Sequence, residues 1–157
     1  MNDELKQTFD RMIDRHFRFE AEDDIDGVLS TMVDDVEHDV VGYPTGPVHG
    51  KTAARGFYDA LFADLSGEKV TTLRRYYGPD FVVDESLWEG TALGAPFGIP
   101  GHGRKLSFRL LHLEFRRVVT LDRCENGVVL LLNVQCDIVF DGDAIRLGCS
   151  DVGVRCA

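Results

Sequence analysis

The stretch 88-WEGTALGAPFGIPGHGRKLSFRLLHLEF-115 places two strand-like runs on either side of a centre crowded with Gly and Pro. The centre, GAPFGIPGHG, is too rich in both to be regular and reads as a loop over the mouth of something. In the run that follows, successive residues point to opposite sides, so Phe108, Leu110, His112 and Glu114 share one face. Trp88 belongs to the preceding strand, in phase with Asp84 and Ser86. Further along, 128-VVLLLNVQCDIVF-140 repeats the alternation, with Asn133, Gln135 and Asp137 on one face and Leu130, Leu132, Val134, Cys136 and Ile138 on the other. A face with three polar side chains, in a strand otherwise built from Val, Leu, Ile and Phe, is either wet or a site.

Working outward, the spacing predicts strands near 68–77, 81–91, 105–120 and 128–140, with Gly78-Pro79-Asp80 and Glu125-Asn126-Gly127 as turns. Everything before residue 66 reads differently. Leu5, Phe9, Met12, Ile13, His16 and Phe17 recur at helical spacing and predict a helix over about 3–22. Asp24 is a natural N-cap for a second over about 24–35, and Ala54, Phe57, Tyr58, Leu61, Phe62 and Leu65 mark a third over about 50–65, closed by Ser66-Gly67. Val36 to Val41 form a brief strand, and GYPTGPVHG is a loop. Three helices followed by antiparallel strands predict an α+β fold of one domain, 1–157, with the helices on one face of the sheet. The tail 141–157 is another strand or a dimer contact.

At 157 residues the chain can bury about two-thirds of its unfolded surface without staples. The net charge of −10 opposes nucleic acid. No segment approaches the roughly 18 apolar residues of a membrane span, and MNDELKQTFDRM lacks the apolar core of a signal peptide, so a cytoplasmic address is expected. Cys124, Cys136, Cys149 and Cys156 lack metal-ligand spacing and read as free structural thiols.

Three strings carry a resemblance: 49-HGKTAARGFYDALFADL-65, the 88–115 stretch with its Gly-x-Pro-x-x-Gly-Arg loop ahead of Ser-Phe-Arg, and 125-ENGVV-129. Together with the order of elements they resemble the nuclear-transport-factor-two-like superfamily, and within it the SnoaL-like polyketide cyclase group, over roughly Leu5 to Phe140. The resemblance implies a cone-shaped α+β barrel whose curved sheet wraps three helices around a deep pocket. It also implies a homodimer through the convex face, where the apolar side of 128–140 would lie. The hairpin VVTLDRCENGVV is longer than that family's turn, and it sets the register of everything after it.

By the same resemblance Asp137, ten residues after Gly127, looks into the pocket with Asn133 and Gln135 as substrate contacts, and His112 matches the inward histidine of such cyclases. A carboxylate in an apolar pocket is desolvated and can exchange protons near neutrality, and an imidazole beside it can orient it, relay a proton or stabilise an enolate oxygen. Asp137 and His112 are therefore the expected acid/base pair, with His38 at the pocket edge. Trp88, Phe108 and Leu110 are expected as pocket wall, while Tyr58 and His16 are either core or cavity border. His49 and His102 sit in loops, where exposure is the default. The implied activity is cofactor-independent and metal-free cyclisation or isomerisation of a small hydrophobic carbonyl compound. A non-catalytic binding or dimerisation module of the same fold is the alternative. Epoxide hydrolysis is the second, and it would call for an Arg where Leu110 stands.

Overall fold

The computed structural model describes residues 3–40, 45–116, 128–133, 137–140 and 143–146, with backbone and register alone for Glu68, Phe97 and everything from Arg116 onward. Helix α1 (Asp3–Ala21) buries Phe9, Ile13 and His16. Helix α2 (Ile25–Ser30) is capped by Asp24, whose carboxylate accepts the Gly27 N–H at 2.9 Å. At Gly27 a Cβ would run into the Phe19 ring, so glycine is what lets α2 approach α1. The second helix stops five residues short of the expected 35. The hydroxyls of Ser30 and Thr31 turn back to the carbonyls of Gly27 and Val28, and the Thr31 and Met32 amides bond three residues back, which tightens the last turn and ends it.

Strand β1 (Glu37–Val40) pairs antiparallel with β2 (Val48–His49), and α3 (Lys51–Asp64) follows at once. Ser66-Gly67 does not end this helix as expected. The chain enters β3 (Leu65–Tyr77) directly, with Leu65 already extended at φ −126°. Strands β4 (Phe81–Ala92), β5 (Arg104–Arg116), β6 (Val128–Asn133), β7 (Asp137–Phe140) and β8 (Asp143–Arg146) complete one sheet, ordered β2-β1-β6-β5-β4-β3, with β7 pairing β5 and β8. Only β1 and β6 run parallel among these pairs. The end strands β2 and β3 do not pair with each other among the described residues, so the expected barrel is an open sheet.

Strands β4 and β5 keep one unbroken register from Phe81↔Phe115 to Ala92↔Arg104. Cross-strand partners share a face, which groups Val82, Asp84, Ser86 and Trp88 with Glu114, His112, Leu110 and Phe108. This is the helix-facing side: Val28, Leu29 and Met32 around α2 and Ala54 and Tyr58 of α3 form one buried cluster with Leu106, Phe108 and Leu110. A second cluster joins Phe9 and Ile13 of α1 to Val82. No helix among the described residues is long and apolar enough to cross a membrane.

The register of β6 continues the sheet beyond β5. Leu132 pairs with His112 and Leu130 with Glu114, while Asn133 pairs with Leu111. On β7, Phe140 pairs with Leu106 and Val139 with Ser107. Pairing to β5 differs by two residues in register between β6 and β7, and residues 134–136 of the expected 128–140 strand lie outside the described residues. Gln135 lies outside the described residues.

Candidate active site

The site begins with the buried stripe of α1. His16 and Glu20 stand one helical turn apart, with His16 Nε2 3.2 Å from Glu20 Oε1. The Tyr58 hydroxyl donates to the same oxygen at 3.1 Å. His16 Nδ1 lies 2.7 Å from Thr31 Oγ1, and Thr31 donates its only hydroxyl proton to the Val28 carbonyl. Thr31 must therefore accept from His16, and the carboxylate requires a proton on Nε2, so both ring nitrogens donate and His16 is an imidazolium. Burial opposes that charge, but the Glu20 carboxylate outweighs it and raises the His16 pKa. Burial would equally raise Glu20, yet His16 and the hydroxyl of Tyr58 hold it down at about 2. Tyr58, buried against that carboxylate, is pushed well above its ordinary range.

The second part of the site is a row across the sheet, Arg75↔Asp84↔His112. The Arg75 guanidinium donates through Nε to buried Asp84 at 2.7 Å and through its other nitrogens to Asp10 and Asp14 of α1, tying helix to sheet. Ser86 also donates to Asp84. His112 is 1% exposed, its ring 4.5 Å from that of Phe17. Burial lowers its pKa to about 4, so it is neutral at pH 7, and its Nδ1 has no hydrogen-bond partner.

A cavity of about 390 Å³ opens between α1, α3 and the sheet. Its walls are Phe17, Phe57, Phe62, Trp88 and Phe108 with Val40, Leu61 and Leu110, and both His112 and Glu20 reach it. Trp88 and Phe108, partners across β4 and β5, stack at 4.8 Å and 24°. Arg18, Asp23 and Lys69, all exposed, line it as well.

Of the residues singled out in the sequence, Trp88, Phe108, Leu110 and His112 line this cavity. His38 does not sit at its edge: the ring is 1% exposed, packed 4.5 Å from Phe57 and 5.4 Å from Tyr58, and burial lowers its pKa to about 4. Tyr58 and His16 stand behind the cavity wall and act on it through Glu20. None of the described residues of the Gly/Pro loop lines the cavity either; the Asp64 carboxylate and carbonyl hold its start through the amides of Leu93, Gly94 and Ala95. The side chains of Asn133 and Asp137 lie outside the description.

A SnoaL-like domain model matches residues 13–131, most of the chain. This chain belongs to the SnoaL-like domain family. Solved structures share its fold. A candidate polyketide cyclase from Xanthomonas campestris pv. campestris superposes with a TM-score of 0.65 at 14% identity, over 81% of this chain and 90% of that one. A candidate polyketide cyclase from a Silicibacter species gives 0.64 at 18%, over 86% and 90%. A protein of ketosteroid isomerase-like fold from Catenulispora acidiphila, in complex with trimethylamine, gives 0.58 at 14%, over 78% and 82%. No curated protein matches in sequence. In this SnoaL-like chain the cavity residue that sequence reasoning missed is Glu20. Its signal was the i,i+4 spacing to His16 on the apolar stripe, which placed Glu20 beside a buried histidine.

Among the described residues no group of three or more His, Cys, Asp or Glu is arranged to hold a metal ion.

Proposed function

We propose that this SnoaL-like chain is a cyclase or isomerase that carries a small hydrophobic carbonyl compound through an enolate, using its own side chains alone. The observation that carries this reading is one neutral imidazole and one ionised carboxylate, His112 and Glu20, on the wall of a cavity built mainly from aromatic and aliphatic side chains, with exposed Arg18, Asp23 and Lys69 also in its lining. A neutral imidazole N–H can donate to a carbonyl oxygen and follow it as charge develops there, in a space where few water dipoles compete. Glu20 takes the proton from the carbon next to the carbonyl. Held at about 2, it is a weak base, and the carbon acid it suits is one activated by a second carbonyl, as in a polyketide-like chain. The enolate then attacks a carbonyl within the same molecule, and the proton on Glu20 passes to the new alkoxide, or it returns to another carbon in an isomerisation. Trp88 and Phe108 offer a flat stacking surface for such a substrate.

The weakness of Glu20 as a base favours a second reading, a non-catalytic pocket for the same class of ligand. Incubation in D2O with a poly-β-carbonyl compound separates the two, because enolate formation introduces deuterium at the activated carbon. Wild type is expected to exchange and turn over the compound, and His112→Ala to lose about 100-fold in kcat/KM while remaining folded. Binding without exchange sinks the enzyme reading; equal exchange in both proteins removes His112 from it. Water attack on an epoxide has less support, since Leu110 stands where an Arg is needed and the nearby Arg75 is committed to three carboxylates.

A further inference from the structure

One buried ionisable group has no role in the chemistry above. Glu114 is 0% exposed, and neither carboxyl oxygen has a hydrogen-bond partner. It stands two residues along β5 from His112 on the same face, about 7 Å away along the strand. Among the described residues of this strand, the other unpartnered buried side-chain atom is His112 Nδ1. Withdrawn polar atoms are costly when unpaired, and one hydrogen bond between these neighbours, direct or through a single water, satisfies Nδ1 and one of the two carboxyl oxygens.

We propose that Glu114 is a positioning residue that selects the tautomer of His112, donating its carboxyl proton toward Nδ1 so that Nε2 carries the ring hydrogen to the cavity. A neutral imidazole has one donor and one acceptor nitrogen, and the partner of one nitrogen decides the other. A protonated Glu114 makes Nδ1 the acceptor. An ionised Glu114 can only accept, which moves the hydrogen to Nδ1 and leaves Nε2 bare.

Among the described residues, the other polar groups that face the pair from α1, β3 and β4 are engaged, and His38 of β1, whose Nε2 also lacks a partner, packs against Phe57 and Tyr58. Glu20 from α1 accepts from His16 and Tyr58. Both N–H groups of His16 are spent on Thr31 and Glu20. On β3, Arg75 is bound to Asp10, Asp14 and Asp84, and Tyr77 donates to Asp10. On β4, Asp84 accepts from Arg75 and Ser86. Burial, reinforced by Glu20 and Asp84 against the opposing pull of His16 and Arg75, pushes the Glu114 carboxyl up to about 7. Its proton is thus held below neutral pH and half released at about pH 7. The inference deepens the enolate reading, on which its catalytic meaning rests, because that reading needs an imidazole N–H of His112 at the cavity and a protonated Glu114 leaves the ring hydrogen on Nε2.

The test needs no substrate, so its outcome is independent of whether turnover is found. Ring-nitrogen NMR on the ¹⁵N-labelled full chain reads the His112 tautomer from pH 5.5 to 8.5. In wild type the ring is expected to stay neutral, in the Nε2–H form at the acid end and the Nδ1–H form at the alkaline end. The change should share its midpoint with the ¹³C signal of the Glu114 carboxyl. Glu114→Gln should hold one tautomer throughout. A single tautomer across the range in wild type, a midpoint separate from the carboxyl's, or the same switch in Glu114→Gln overturns the proposal. If Glu114→Gln does not fold, the shared midpoint in wild type decides by itself. A Glu114 with a purely structural role would leave the His112 ring unmoved.

Discussion

Glu20 and Glu114 are two carboxyl groups drawn out of water on facing sides of one helix–sheet interface, and they end in opposite states. Glu20, 21% exposed, receives hydrogen bonds from His16 and Tyr58 and stays ionised down to about pH 2. Glu114, fully buried with no partner, keeps its proton to about pH 7. Burial penalises the charge in both, and the supply of donors decides which group carries it.

The comparison is broken most severely by Glu20→Gln, which strands the His16 imidazolium without its counter-charge. A loss of about 3 to 4 kcal/mol at pH 6 is expected from urea unfolding. The wild-type pair also has a pH window. The Glu20 contribution is complete above its unfolded value of 4.5 and is lost as pH falls toward 2. That of His16 is complete below 6.5 and is lost as pH rises through its raised folded value. A Glu20→Gln variant as stable as wild type between pH 4.5 and 6.5 would mean that the pair is not formed in solution.

Glu114→Gln should act in the opposite direction. The folded chain holds the Glu114 proton to a higher pH than the unfolded chain, so folding takes up a proton between pH 4.5 and about 7, and wild-type stability falls across that window. Gln has no proton to lose. Its stability relative to wild type should therefore rise from pH 4.5 to pH 8 by about 2 to 3 kcal/mol, measured as paired urea midpoints at the two pH values. A constant difference between the two proteins would show that Glu114 is not neutral in the fold.

The smallest effect belongs to Thr31→Val, close in shape but without the oxygen that accepts from His16 Nδ1. A loss of about 1 to 2 kcal/mol is expected, together with a lower His16 pKa by NMR titration. An unchanged His16 titration would assign its charge to Glu20 alone.

Much of the site was legible in one strand. Alternation along β5 put Phe108, Leu110, His112 and Glu114 on one face without reference to any other element, because side-chain direction on a strand depends only on the count along it. What that count could not give was which face of the next strand joined them. The polar series of 128–140 has the same alternation, but a hairpin of unknown pairing stands between the two strands. A shift of one residue there exchanges faces wholesale, and the observed register sets Leu132, not Asn133, beside His112. Glu20 was obscured for a different reason. A glutamate on a helix rim is ordinarily solvated, and only the arrival of Tyr58 from α3 makes this one part of a network.

The chain by itself determined the α+β class, the helical stripe of α1 and the faces of each strand taken singly, because these follow from local periodicity. Tertiary structure alone decided that His16 carries charge while His112 does not, that Glu114 holds a proton Glu20 has lost, and which strand faces meet at the cavity. Protonation and register both depend on partners distant in sequence, and those partners meet only when helix and sheet close on each other.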